Sequence, residues 1–179
     1  SATKTGTEND GTAVTYFARN KYAGQPLIIL DWDIIQIEGA LLDTWLPTVF
    51  SNLEHLAKTC GAREGVRGAW IEDKSSGMVL LQQARKRNLR VFPIGGAWLQ
   101  LGKDERAMSV SSYHYQGQCK ITATAYNKTT NYKGTHRNHL VSQVSGFRIG
   151  DKDAAKRADD LLDTYVHGLA LALGDSHQF

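Results

Sequence analysis

Residues 66–96 read VRGAWIEDKSSGMVLLQQARKRNLRVFPIGG, and their pattern decides the fold. Val66–Ile71 is a short apolar run of strand length that ends on Glu72-Asp73. Residues 76–88 suit a helix stopped by Asn88, and Arg90–Ile94 is a second strand broken by Gly95-Gly96. A strand, a helix and a strand in so short a stretch predict a parallel pair joined by a crossover helix.

The flanks extend this alternation. Thr12–Ala18 and Leu27–Trp32 predict two strands of a hairpin around a turn at Lys21–Gln25, after a polar loop over 1–12. Leu42, Trp45, Leu46, Val49, Leu53 and Leu56 recur at helical spacing, so a helix is expected over about 40–60, with Gly61 as its C-cap. Beyond the central stretch, Lys103–Tyr115 reads as a helix, Cys119–Ala125 as a strand and Asn127–Gly134 as a polar, basic loop or hairpin tip. Thr135 is the expected cap of a helix that buries Leu140, Val141 and Val144 and ends at Gly146. A long helix is expected over 154–173, with Ala158, Leu162, Tyr165, Val166, Leu169 and Leu173 as its apolar stripe. The order predicts one α/β domain over 1–179, a partly parallel sheet with helices on its faces. Active sites in such sheets sit at strand ends.

The 179 residues suffice for one such core. No run approaches the roughly 18–20 apolar residues of a membrane span. Cys60 and Cys119 lack metal-like spacing and read as two unpaired thiols of a reducing compartment. The net charge of +3 is only mildly basic. Its distribution says more: cations crowd 85–90 and 120–137, acids crowd 151–163. Basic flanks suit phosphates and an acidic spot suits metal. There is no Walker A sequence and no G-x-S-x-G.

Three acidic groups are the candidates for chemistry: Glu8 and Asp10, Glu72 and Asp73, and Asp159, Asp160 and Asp163. Mg²⁺ takes oxygen ligands from a few carboxylates, water and phosphate. Two such ions about 4 Å apart activate water and steady a leaving oxygen. On a helical wheel Asp159 and Asp163 share one edge of the apolar stripe, and Asp160 points further away. The plain alternatives are a solvated turn for Glu72-Asp73 and first-turn charges offsetting the helix dipole for Asp159 and Asp160.

The stretches AWIEDKSSG (69–77), GKDERA (102–107), HLVSQVSGF (139–147) with RADDLLDTYVHGLALAL (157–173), and SATKTGTENDGTAV (1–14) resemble, in order, four segments of tailed-phage large terminases. The similarity is to their C-terminal nuclease domain, and it spans nearly the whole chain. It implies a ribonuclease H-like mixed sheet flanked by helices on both faces. It also implies a Mg²⁺- or Mn²⁺-dependent endonuclease that cuts concatemeric viral DNA during packaging. The N-terminal packaging ATPase of that family has no counterpart in these residues. By the motifs, Glu72 carries the second carboxylate role with Asp73 beside it. Asp159 or Asp160 carries the third with Asp163 close by, and Asp10 matches an additional acidic position. The family's first-strand Asp precedes its Ser-Ala, which here is the position before Ser1. Lys74, Lys103, Arg106, Lys128, Lys133 and Arg137 are the expected DNA contacts. The implied partners are double-stranded DNA and, for a full-length terminase, the small terminase subunit and the portal, in the host cytoplasm during assembly and with no membrane. Two rival readings are another ribonuclease H-like nuclease, of resolvase or transposase type, and a non-catalytic DNA-binding packaging module.

Overall fold

The computed structural model describes residues 11–20, 24–37, 41–74, 76–153 and 157–174. Their elements run β1 (Thr12–Arg19), β2 (Leu27–Ile35), α1 (Leu42–Thr59), β3 (Ala69–Glu72), α2 (Ser76–Lys86), β4 (Val91–Ile94), α3 (Gly96–Gln100), α4 (Lys103–Tyr115), β5 (Cys119–Ile121), α5 (Ala123–Asn127), β6 (Thr130–Tyr132), β7 (Thr135–Arg137), α6 (His139–Gly146) and α7 (Asp160–Leu173). The chain is a mixed α/β protein of two compact units, Ile37–Gln100 and Asp10–Gln36 with Leu101–Gln178. No helix among the described residues is long and apolar enough to cross a membrane.

The first unit is built on the expected strand–helix–strand. β3 and β4 pair in parallel from Ala69↔Val91 to Glu72↔Ile94. Leu42, Leu46 and Phe50 recur every fourth residue along α1 and meet Leu80 and Ala84 of α2, while Ala69, Ile71 and Val91 pack from the strands. α2 starts tight against β3: a Cβ on Gly77 would collide with the Glu72 carbonyl. Only glycine lets the helix begin there, and so Gly77 sets where β3 delivers Glu72. The Gly95-Gly96 pair, expected only to break a strand, opens α3 instead. Gly96 takes φ +63°, and the turn buries Trp98 and Leu99.

The second unit holds a three-stranded sheet in the order β1-β2-β5. β1 and β2 form the expected antiparallel hairpin, with a register shift between Tyr16 and Phe17. β2 and β5 pair in parallel. α7 packs on β1 and β2 and against α4 and α6, so from Leu161 to Ala170 only Asp163 and Thr164 stay partly exposed. Gly168 makes the close approach possible, since a Cβ there would enter the Phe17 ring.

Three boundaries differ most from the sequence reading. The strand expected over Cys119–Ala125 stops at Ile121, because the Thr122 hydroxyl accepts a hydrogen bond from the Ala125 N–H at 3.2 Å and starts α5. Thr135 begins β7, and Asn138 caps α6 by accepting from Val141 N–H at 2.9 Å. α7 starts at Asp160, so Asp159 is its N-cap residue, and residues 154–156 of the longer helix expected there lie outside the described residues.

Candidate functional site

The acidic cluster of the second unit forms where α4 and α7 begin. Lys103 and Arg106 lie in the first turn of α4, whose entry is fixed by the Glu105 carboxylate accepting from the Gly102 N–H at 2.9 Å. At α7 the N-cap Asp159 makes no capping hydrogen bond. Its place is taken by Gln143 of α6, whose side-chain oxygen accepts from the N–H groups of Leu161 at 2.8 Å and Leu162 at 3.1 Å. With the helix end satisfied from outside, the Asp159 carboxylate turns to the Lys103 ammonium, which it binds. Asp163, one turn on, reaches the same ammonium at 3.3 Å and the Arg106 guanidinium at 3.6 Å. Arg106 is buried and also donates to the Leu101 carbonyl at 2.9 Å. Asp160, on the same turn of α7, is partly buried. The GKDERA and DDLLD segments are thus in direct contact, although far apart in sequence.

The electrostatics follow from burial. Burial raises the pKa of Asp163, helped by the neighbouring Asp159 charge, and Lys103, His167 and Arg106 pull against it. For Lys103, burial acts to lower the pKa, but Asp159 and Asp163 outweigh it and hold the ammonium above its usual value. His167 continues the line of Asp159 and Asp163 at four-residue spacing and is buried. It was not among the sequence candidates, and that spacing is the signal that could have found it. Gln143 gave no signal of its own, because a cap supplied from another helix leaves no local pattern.

The other candidates fall elsewhere. Glu72 ends β3 in the first unit and is partly buried. Asp73 is exposed, and its N–H donates to the Ile94 carbonyl at 2.9 Å. The Lys74 ammonium donates to the Leu99 carbonyl at 2.8 Å, near the end of α3, a placement favoured for a cation. Asp10 lies outside the described residues.

Residues 130–137 form a hairpin, one of the two forms expected for the 127–134 segment. Lys133 at φ +48° and Gly134 at φ +75° make its two-residue turn. The buried His139 ring nitrogen donates to the Thr130 and Thr135 carbonyls, each at 3.0 Å, and so ties both strands to α6. Lys133, His136 and Arg137 are exposed. Lys128 is not presented in that way. Its ammonium is bound to Asp31 at 2.8 Å and to the Trp32 carbonyl, and lies over the Trp32 ring.

Comparison with known protein families, curated proteins and solved structures finds no match. Among the described residues no three of His, Cys, Asp and Glu converge so as to hold a metal ion. Asp159 and Asp163 do converge on one cation, the Lys103 ammonium. Oxygen donors gathered around a positive centre are the donor type that Mg²⁺ or Mn²⁺ takes. A divalent ion entering there would displace Lys103. Burial pushes the Cys119 thiol up to about 12, against the lowering charge of Lys120, and so disfavours its thiolate.

Proposed function

We propose that this chain is a divalent-metal-dependent DNA endonuclease domain with a ribonuclease H-like core, of the kind that cuts concatemeric viral DNA during genome packaging. The observation that carries the reading is the contact of Lys103 and Arg106 with Asp159 and Asp163. These are the two motif segments, apart from the Glu72 turn, in which the terminase resemblance concentrates its charged residues. A parallel β3–β4 pair that ends on Glu72, and helices packed on strands in both units, give the mixed α/β class to which such a core belongs.

In this reading Asp159 and Asp163 hold the metal, and Glu72 takes the second carboxylate role by its motif. A bound Mg²⁺ or Mn²⁺ would activate water and neutralise charge on the phosphate. Lys103, once displaced from the carboxylates, is placed to take a phosphate oxygen. Arg106 stays buried and fixes the direction of Asp163. Exposed Lys133 and Arg137 on the β6–β7 hairpin supply phosphate contacts that carry little sequence preference.

The test is cleavage of linear duplex, four-way junction and RNA–DNA hybrid with Mn²⁺, with Mg²⁺ and with excess chelator. Cutting of the linear duplex that vanishes on chelation is expected. Preference for the junction would favour a resolvase, and no cutting of any substrate would overturn the nuclease reading. The hairpin makes a separate prediction. Lys133→Gln with Arg137→Gln should reduce the slope of log affinity against log salt by about 0.9 per lost phosphate contact. Lys128→Ala should leave that slope nearly unchanged, because its ammonium is held by Asp31. A double variant with the wild-type slope would remove the hairpin from the DNA surface.

A further inference from the structure

The face of the β3–β4 pair that turns away from the first unit's core carries an aromatic stack. Ala69, Ile71 and Val91 point inward, so alternation puts Trp70 and its register partner Phe92 on the opposite face. Their rings stack with centroids 4.9 Å apart and an interplanar angle of 28°. The Arg90 guanidinium carbon lies 5.8 Å from the Phe92 centroid. Trp70 remains 41% exposed, whereas Trp32 and Trp98 are at most 1% exposed and Trp45 packs against the core. The Trp70 ring thus places an apolar face and a cation side by side at the surface. Glu72 follows two residues further along β3, about 6.6 Å away at the strand rise, beside its buried register partner Ile94.

We propose that Trp70, backed by Phe92 and Arg90, is a stacking platform for an unpaired base, so that the strand reaching Glu72 is single-stranded or locally melted DNA. In a duplex the bases stack on one another and offer no free face to a protein ring. An unpaired base does offer one, and stacking of this kind accepts any sequence. The exposed Arg90 supplies the positive charge that a polyanionic strand needs. The inference rests on the nuclease reading for the role of Glu72, but the binding itself does not require cleavage.

The experiment is a titration of the full chain, without divalent metal, by an unpaired thymidine oligonucleotide and by a blunt duplex of equal length, following tryptophan emission. The oligonucleotide is expected to quench emission and the duplex to quench it far less. Trp70→Leu should lose the quench and bind the oligonucleotide about tenfold more weakly. Trp70→Phe, which keeps a ring, should fall between, and all three proteins should melt alike. Equal affinity in Trp70→Leu, or equal quenching by duplex and oligonucleotide, overturns the platform. Quenching that follows self-association and ignores the oligonucleotide also overturns it, in favour of a protein occupant. If Trp70→Leu binds the oligonucleotide as the wild type does while duplex is still cut, the platform fails and the nuclease reading stands. If stacking is seen and nothing is cut, the reverse holds.

Discussion

Replacing Asp163 by Asn is expected to lower metal-dependent cleavage of duplex DNA by on the order of 10²-fold or more. The substitution keeps shape and removes only the anionic oxygens that now face Lys103 at 3.3 Å and Arg106 at 3.6 Å. A neutral amide offers a hard cation one uncharged oxygen in place of a charged carboxylate, and so holds it more weakly. Glu72→Ala should be as damaging by the same assay, with the fold intact. The pH dependence has a definite sign. Burial raises the folded pKa of Asp163 above the ordinary 3.8, so its carboxyl ionises less readily in the folded chain than in the unfolded one. That contribution to stability is full below the unfolded pKa and is lost as pH rises through the folded one. Asp163→Asn should remove this component from a stability-against-pH curve. Wild-type cutting by Asp163→Asn, measured on linear duplex with Mn²⁺, would take the α7 carboxylates out of the reaction.

Trp32→Ala should cost about 3–5 kcal/mol of stability, the range for deleting a large buried aromatic. Trp32 is 0% exposed in the second unit. Its indole N–H donates to the Ala125 carbonyl at 2.9 Å, which links β2 to α5. Its ring meets His139 edge to face at 6.5 Å and carries the Lys128 ammonium at 5.2 Å. Truncation therefore leaves a cavity, removes one of the two donors of the Ala125 carbonyl, which keeps the Asn138 side-chain amide at 3.0 Å, and loosens the seat of the β6–β7 hairpin. Chemical denaturation gives the measurement. A loss below about 1 kcal/mol would show that the surroundings collapse into the space, contrary to this account.

Elements whose pattern is purely local were legible in the sequence. α4 spans Lys103–Tyr115 as expected, and α1 and the β3–α2–β4 run differ only at their ends. The shared helix edge of Asp159 and Asp163 was also readable, because four-residue spacing fixes it whatever the helix packs on. Misreadings came where one polar side chain overrides an apolar run. Thr122 ends β5 and starts α5 inside a stretch that looks like one strand. Asn138 caps α6, while Thr135, a better-looking cap three residues earlier, pairs with Tyr132 across the hairpin. Gly96 starts a helix because its positive φ turns the chain so that Trp98 and Leu99 can be buried. The commitment of Lys128 to Asp31 was illegible, since it joins residues 97 apart in sequence.

The enclosure of α7 has one further consequence. A helix wrapped by strands and by two other helices loses its backbone protection only when the surrounding unit opens as a whole. The two carboxylates therefore ride on a slow-opening element, whereas the short β6–β7 hairpin, held to the body mainly through Tyr132 and His139, belongs to the fast-opening end of the same unit. On gradual warming, the hairpin should loosen while the acid pair keeps its spacing.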